Sequence, residues 1–248
     1  MRYLEELSAN AWPGLRCALV DGWLARFAMG HTHRANSVLP LGAGNGTLAD
    51  RIARCEALYR LEGLEPCFKI FPEAAPEDLD AQLAQRGYIR RANGQVLGLE
   101  TLPSSPPAAE GWTVSSTHHL TPDWFRFHAD SSGLDARKAT AAKAILEAIV
   151  PEHRFLMLKG DAGPEACALI VLEDGWAGIF DLMVRKEWRG QGLGRAAMGM
   201  ALAEAARAGA RRSYLQVLDA NRVAKELYAS LGYRPLYSYG FRVKAPHA

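Results

Sequence analysis

A run of closely spaced glycines, "RGQGLG" at residues 189–194, could bring several backbone N–H groups around one anion. Glycine has no Cβ to block such an approach, and an alanine-rich segment with helical character follows the run. A helix N-terminus carries partial positive charge, and the arginine that opens the run adds a full one. The sequence therefore predicts a cradle for a phosphate or a pyrophosphate.

Two common phosphate-binding motifs fit this stretch less well. A P-loop needs a lysine followed by serine or threonine after its glycines, and none is present here. Gly192, Gly194 and Ala197 do satisfy the spacing of a dinucleotide fingerprint. However, seven residues separate Val184, at the end of the preceding strand pattern, from Gly192. Only one helix and one strand follow the crossover, which is fewer than a Rossmann domain requires.

The stretch resembles the signature [Q/R]-x-x-G-x-[G/A] of the GNAT superfamily of N-acetyltransferases. A second motif of that family, an Asn-headed helix that ends in Leu-Tyr and is followed by Gly-[Phe/Tyr], occurs further along the chain. The matching residues are Arg189, Gly192 and Gly194 in the first motif and Asn221, Leu227, Tyr228, Gly232 and Tyr233 in the second. The resemblance covers residues 112–245. It implies an α/β (α+β) fold with a mixed, mostly antiparallel sheet flanked by helices, and acetyl transfer from acetyl-CoA to an amine.

The resemblance also implies roles for individual residues. The pyrophosphate of CoA would be held by backbone N–H groups of Arg189, Gly190, Gln191, Gly192, Leu193 and Gly194, with the Arg195 side chain reaching the phosphates. The backbone of Met183 and Val184, at a bulge where the strand splays, would pair with the pantetheine arm and polarise the thioester carbonyl. Asn221 would contact the pantetheine or the phosphates, and Tyr228 would protonate the departing thiolate.

Several of these residues also have purely structural explanations. Asparagine is a good helix N-cap in any protein, which is sufficient to explain Asn221. Tyr228 lies in an apolar stripe with Ala224, Leu227 and Leu231, and such a stripe by itself indicates a helix face in the core. Only the resemblance gives Tyr228 a catalytic role.

The general base is left open by the sequence. An amine with a pKa near ~10.4, like that of lysine, is mostly protonated at neutral pH and must lose a proton before or during attack. The family commonly uses a Glu or Asp on its central strands for this step. Asp181, just before the expected bulge, and Glu173, at the end of the previous strand, are the two candidates. We place Asp181 in the catalytic set, although both also fit ordinary strand-end charges.

A proline-rich stretch, "TLPSSPPAAEGW" at residues 101–112, predicts a linker over 103–111. It separates a domain of residues 1–102 from one of residues 112–248. After the linker the patterns predict a strand, two helices and three strands joined as hairpins. A helix ending before Gly209, a strand, a helix capped by Asn221 and a final strand complete the chain. This order positions the glycine run between a strand and a helix.

The first hundred residues resemble the second half when the chain is shifted by 146 positions. Gly44, Gly46 and Gly63 then fall on Gly190, Gly192 and Gly209. The anion-binding features are lost, since Ala43 replaces Arg189 and Leu48 replaces Gly194. This predicts two GNAT-like domains, a degenerate first copy that shapes the acceptor site and a catalytic second copy that binds acetyl-CoA. Chance similarity between two strand–helix–strand units is the alternative.

The first copy carries a polar cluster of its own. Its residues are His31, His33, Arg34 and Asn36. A strand through this segment would place Arg34 and Asn36 on one face. The cluster fits either a wall of the acceptor pocket or a hydrogen-bond network between domains, and its role stays open.

Composition restricts the partners. The 248 residues are 49% hydrophobic and 23% charged with a net charge of +2, which lacks the basic excess typical of nucleic-acid binding. The four cysteines form no CxxC pair, the paired histidines lack a third ligand, and no apolar run is long enough to cross a membrane. We expect a cytoplasmic monomer or homodimer without a metal, nucleic-acid or membrane partner.

Two classes of function follow from these observations. The first is an acetyl-CoA-dependent N-acetyltransferase that works by direct attack in a ternary complex, since neither motif contains a cysteine to carry the acyl group. Its acceptor would be a primary amine of a small molecule or a peptide, and the sequence does not define it further. The alternative is a non-catalytic module that binds or senses CoA.

Overall fold

The computed structural model describes residues 1–103, 111–161 and 163–244. Residues 104–110, which make up most of the predicted linker at 103–111, lie outside the described residues. The described α-helices are α1 (Arg2–Ala11), α2 (Leu48–Leu61), α3 (Leu79–Gln85), α4 (Pro122–Ser132), α5 (Ala136–Glu147), α6 (Leu193–Arg207) and α7 (Arg222–Ser230). The described strands are β1 (Arg16–Val20), β2 (Trp23–Phe27), β3 (Val38–Pro40), β4 (Cys67–Ile70), β5 (Tyr88–Leu99), β6 (Thr113–Thr117), β7 (Glu152–Gly160), β8 (Gly163–Glu173), β9 (Trp176–Val184), β10 (Arg212–Leu218) and β11 (Arg234–Lys244).

The described residues divide into two compact units. The first contains residues 1–95, 218–220 and 236–244, and the second contains the described residues of 96–217 together with 221–235. The sequence places residues 112–248 in one domain, whereas most of β11 belongs to the first unit and pairs there with β4. Sequence patterns predict that a segment is a strand, but not which strand it will join.

The first unit holds strands in the order β1-β2-β3-β4-β11. Neighbours run antiparallel, except that β3 and β4 are parallel and are joined through α2. The core packs large aromatic side chains against one another, with the rings of Trp23 and Tyr88 at the edges of Phe68. These strands and helices therefore enclose a hydrophobic core of their own.

The second unit holds strands in the order β10-β9-β8-β7-β6. Here too the neighbours are antiparallel except for one parallel pair, β9 and β10, which α6 connects. Three fully buried alanines, Ala197, Ala201 and Ala205, let α6 lie close to β8 and β9. The mixed, mostly antiparallel α/β class predicted from the sequence is confirmed, as is the order of elements after the linker.

Local sequence accounts for most helix starts. In α4, α5 and α7 the side chains of Thr121, Asp135 and Asn221 accept hydrogen bonds from backbone N–H groups of the first turn. The helix α6 follows Gly192 and, like α1 and α3, starts without a hydrogen bond to a capping side chain. Its first N–H groups are therefore available to another acceptor.

The strand expected through Arg34 and Asn36 is wrong. Residues 31–37 form turns, because Met29, Gly30 and Thr32 all have positive φ and reverse the chain before β3. The buried Asn36 carboxamide accepts from the N–H groups of residues 28 and 30 and donates to the carbonyls of residues 28, 31 and 32. Asn36 therefore organises this loop, and the described bonds of its side chain are all made within the loop.

Candidate active site

The strand β9 contains the bulge expected near its end. Leu169 pairs with Phe180 and Cys167 pairs with Met183, so two residues of β9 oppose one residue of β8. Asp181 is the first of these two residues and has a φ of 47°. This left-handed conformation is one that aspartate and asparagine adopt more readily than most residues. The bulge thus fixes where the Asp181 side chain leaves the sheet.

Beyond the bulge, β9 and β10 separate. Their parallel pairing joins residues 176–178 to residues 212–214, and none is described between these two strands further along. Met183 and Val184 are partly exposed in this region. The edge of β9 that faces away from β8 therefore has no described pairing with β10 beyond Gly178, and we expect an extended ligand to add there as a strand does.

The glycine loop lies directly after β9. Gly190 and Gly192 have φ values of 76° and 85°, which favour glycine strongly over residues with a Cβ. A Cβ built on either residue would have no protein atom within 4 Å. The loop therefore needs glycine for its backbone conformation, and its exposed backbone faces open space at both positions.

Three exposed side chains hold this loop against its neighbours. The Arg189 Nε donates to the Val184 carbonyl at 3.1 Å, and Gln191 Nε2 donates to the Glu187 carbonyl at 2.8 Å. Arg195 Nη2 donates to Ser230 Oγ at 2.6 Å. These bonds bring the end of β9, the start of α6 and the end of α7 together.

The second motif contributes α7. Asn221 Oδ1 accepts from the Ala224 N–H at 3.1 Å, so its structural role as N-cap is observed and its contact with a ligand stays a prediction. A Cβ at Gly194 would lie 3.4 Å from Leu227 Cδ2 and 3.7 Å from Val184 Cγ2. Glycine at this position thus lets α6 start close to both α7 and β9. Leu193 is buried beside it.

Tyr228 is partly buried on α7 and packs against the core of the second unit. Burial, and to a lesser degree the negative charge of Asp181, raise the pKa of Tyr228 to about 12. The hydroxyl therefore keeps its proton at neutral pH, which a general acid requires. The charge of Asp181 acts on Tyr228, so the two side chains lie near each other, and their catalytic roles stay a prediction.

Asp181 has a neighbour that the sequence reasoning missed, His128 of α4. Its Nε2 lies 3.1 Å from Asp181 Oδ2, and both side chains are buried, with 4% and 8% of their surfaces exposed. The imidazole stacks on Trp124, with ring centroids 5.3 Å apart. The sequence feature that could have revealed His128 is its spacing of four residues from a tryptophan, which places both side chains on the same face of a predicted helix.

Glu173, the other candidate base, lies at the opposite end of the hairpin. It pairs with Trp176 beside the β8–β9 turn. Asp181 is five residues further along β9, which corresponds to about 16 Å of strand. Of the two candidates, Asp181 is the one whose negative charge acts on Tyr228.

The described part of the chain gives little support for metal binding, for membrane crossing or for a cysteine nucleophile. Across residues 1–103, 111–161 and 163–244, no three His, Cys, Asp or Glu side chains are grouped so that they could hold a metal ion. No helix within these ranges has the length and apolar character needed to cross a membrane. The Cys167 thiol is buried beside the Asp181 carbonyl, and burial raises its pKa well above the usual value. Cys167 is therefore a poor nucleophile.

A mixed sheet with a splayed parallel pair, a strand bulge and a glycine loop opening a helix is the arrangement of the GNAT fold. The chain belongs to the family described as "Probable histone acetyltransferase Rv0428c C-terminal", whose model matches residues 1–241. The chain is accordingly an acetyltransferase.

Two relatives match along most of the chain. It is 26% identical over 246 residues to "Uncharacterized N-acetyltransferase YobR" of Bacillus subtilis, covering 98% of each protein. It is 30% identical over 237 residues to "Probable histone acetyltransferase Rv0428c" of Mycobacterium tuberculosis, covering 94% of this chain and 70% of that protein.

Solved structures show the same fold. A GCN5-related N-acetyltransferase from Kribbella flavida aligns with a TM-score of 0.73 at 16% identity, covering 100% of this chain and 96% of that one. A tandem GNAT protein from the clavulanic acid biosynthesis pathway aligns with a TM-score of 0.65 at 14% identity, covering 99% and 89%. At these identities the likeness concerns the fold.

Proposed function

We propose that the protein transfers an acetyl group from acetyl-CoA to a primary amine by direct attack in a ternary complex. The observation that carries the proposal is the open edge of β9, which lies between a glycine loop with an uncapped helix and the Asp181–Tyr228 pair. A linear cofactor with an anionic end and a thioester end matches these three features in that order.

The residues around this edge fit acetyl-CoA. The N–H groups of the glycine loop and the start of α6 would hold the pyrophosphate, with Arg189 and Arg195 supplying positive charge. The backbone of Met183 and Val184 would bind the pantetheine arm by hydrogen bonds. Acetyl-CoA supplies an activated thioester, so the chain has to position the two substrates and move protons.

The proposed proton transfers balance the reaction. As the amine nitrogen bonds to the acetyl carbon and the carbon–sulfur bond breaks, Asp181 removes a proton from the amine, directly or through water. Tyr228 donates its proton to the departing sulfur. Because Cys167 is buried and protonated, direct attack is favoured over an acyl-enzyme.

The acceptor is a primary amine of a small molecule or of a peptide. The mycobacterial relative is named as a histone acetyltransferase, which makes a lysine side chain in a peptide one reasonable acceptor to test. Thiol release from acetyl-CoA, measured over a panel of small amines and lysine peptides, tests the proposal. An absence of turnover with every amine, combined with tight CoA binding, would instead indicate a module that binds or senses CoA.

The glycine loop gives a first prediction. The variants Gly192→Val and Arg189→Glu should each weaken CoA binding at least tenfold, about 1.4 kcal/mol, in calorimetric titration. Valine imposes strain at a φ of 85° and places a side chain beside the phosphates, and glutamate repels them.

Gly209 offers a matched control, because it has a φ of 92° at the other end of α6 and a Cβ there would also be in open space. Gly209→Val should cost similar backbone strain and leave CoA affinity unchanged. If it weakens binding as much as Gly192→Val does, the loop has only a structural role.

The corresponding loop of the first unit already holds an anion, the carboxylate of Asp21. Asn45 N donates to both carboxylate oxygens at 3.0 Å, and Gly46 N donates to one at 2.9 Å. These bonds, from Gly46 first, lower the pKa of Asp21. The following helix α2 is capped by Thr47, whose hydroxyl accepts from the Asp50 N–H. The N–H groups that a pyrophosphate would need are therefore used within the chain.

A second prediction follows: the protein binds one CoA per chain. Calorimetric titration of the full chain should give a stoichiometry near one, and Gly192→Val should weaken that single binding event. A stoichiometry of two, or residual binding at full affinity in Gly192→Val, would contradict the assignment of the site to the second unit. The part that residues 1–102 play in acceptor binding stays a prediction.

A further inference from the structure

We propose that His128 is a positioning residue for the reaction, one that holds Asp181 ionised and oriented toward the amine. This inference rests on the proposed function, because it gives Asp181 a partner in its role as base. The 3.1 Å separation of His128 Nε2 and Asp181 Oδ2 is within hydrogen-bonding reach, and both groups are buried. A polar pair that is buried at the reacting end of an open strand edge needs a physical explanation.

The two ring nitrogens of His128 differ in their surroundings. The structure gives the buried Nδ1 no hydrogen-bond partner among the described residues. A proton at Nδ1 would therefore be an unsatisfied buried donor, whereas Nε2 lies 3.1 Å from a carboxylate oxygen of Asp181. On the proposal the ring carries a proton on Nε2. In that form it would stabilise the carboxylate of Asp181, and Asp181 would accept the proton of the amine.

Packing prevents the ring from turning away. The imidazole and the Trp124 ring are nearly parallel, at 11°, and Trp124 Nε1 donates to the Leu156 carbonyl at 2.9 Å. This bond attaches α4 to β7, and α4 also contacts β8 and β9. His128 is thus held by a buried aromatic side chain that is itself bonded to the sheet.

The groups near the Asp181 carboxylate indicate which of them could accept the proton of the amine. The described titratable groups near Asp181 include His128 from α4, Cys167 from β8 and Tyr228 from α7. Burial raises the pKa of both Cys167 and Tyr228, so each keeps its proton at neutral pH. Of these groups Asp181 is therefore the one that could accept the proton of the amine, and His128 Nε2 lies 3.1 Å from it.

Kinetics of two variants separate positioning from simple packing. His128→Phe keeps a stacking ring and removes the donor, and we expect kcat to fall about tenfold or more while the CoA dissociation constant stays within about twofold. The acidic limb of the rate profile should move to higher pH, because the carboxylate loses a donor that favours its ionised form. His128→Gln restores an N–H at a similar reach and should recover most of the rate. The exposed His119 provides a control, and His119→Phe should change neither quantity.

An NMR experiment tests the contact without turnover. In the full chain labelled with ¹⁵N-histidine, the ring signals of His128 should show the Nε2–H tautomer, and Asp181→Asn should shift the Nε2 signal. If no amine is turned over by the wild type, the proposed function fails, and the NMR result still decides the contact. An unchanged rate and pH profile in His128→Phe, or an Nε2 signal that Asp181→Asn leaves unmoved, would overturn the inference.

Discussion

An Asp181→Asn variant is expected to lose about 10²- to 10³-fold of its turnover while it keeps its fold and its affinity for CoA. Asparagine matches aspartate in size and tolerates the positive φ of the bulge, so the backbone should be unchanged. The substitution removes the negative charge that accepts the amine proton. Thiol release at saturating acetyl-CoA measures the loss, and circular dichroism and calorimetry check the fold and the affinity.

Two neighbouring residues provide controls for this variant. Asp174, in the β8–β9 turn, has a φ of 49°, so Asp174→Asn repeats the same change in the same backbone conformation away from the site. Glu173→Gln removes the alternative carboxylate. Both should turn over acetyl-CoA at the wild-type rate. A loss confined to Glu173→Gln would show that the base was assigned to the wrong strand.

A Tyr228→Phe variant is expected to lose about 10²-fold in kcat. The ring stays in the apolar face of α7, so folding and CoA affinity should be retained and only the acid is lost. The raised pKa of Tyr228 also predicts how wild-type turnover depends on pH. Because the pKa of Tyr228 is raised to about 12, the hydroxyl stays protonated through the neutral range, and wild-type turnover should show no loss from Tyr228 ionisation below about pH 10.

The buried Tyr233 distinguishes catalysis from packing. Its hydroxyl lies 2.6 Å from Ser213 Oγ, and its ring is 6.0 Å from that of Tyr228. Tyr233→Phe should lower the midpoint of thermal unfolding, because the buried Ser213 hydroxyl keeps its bond to the Ala177 carbonyl but loses the one to Tyr233, and should leave kcat within about twofold. Equal turnover in wild type and Tyr228→Phe would leave Tyr228 as a core residue.

Much of the site was predictable because its requirements are local. The glycines of the loop are needed for backbone conformations that other residues adopt only under strain, and that need is visible in the sequence. The same holds for Asn221, whose side chain caps the helix it precedes. The bulge near Asp181 was predicted from the family resemblance and is present in β9.

The remaining features depend on contacts between distant segments. His128 and Asp181 lie more than fifty residues apart, and only the packing of α4 on β8 and β9 brings them together. The polar residues before β3 resemble a strand in their alternation, yet three positive φ angles and the Asn36 carboxamide fold them into turns. A short polar segment has no periodicity strong enough to distinguish these outcomes.

Because β11 lies late in the chain, the first unit cannot finish pairing its strands until residues 236–244 have been synthesised. At about 5–20 residues per second, a ribosome delivers residues 236–244 roughly 10 to 35 seconds after β4. During that interval the nascent chain holds β4 without the antiparallel neighbour that later pairs with its residues 67–70. An unpaired strand edge is a site where other chains can add, so chaperone demand should concentrate on this late stage of synthesis. Deleting residues 236–244 would leave the edge of β4 unpaired permanently. The deletion would therefore destabilise the first unit, most of which lies more than a hundred residues earlier in the sequence.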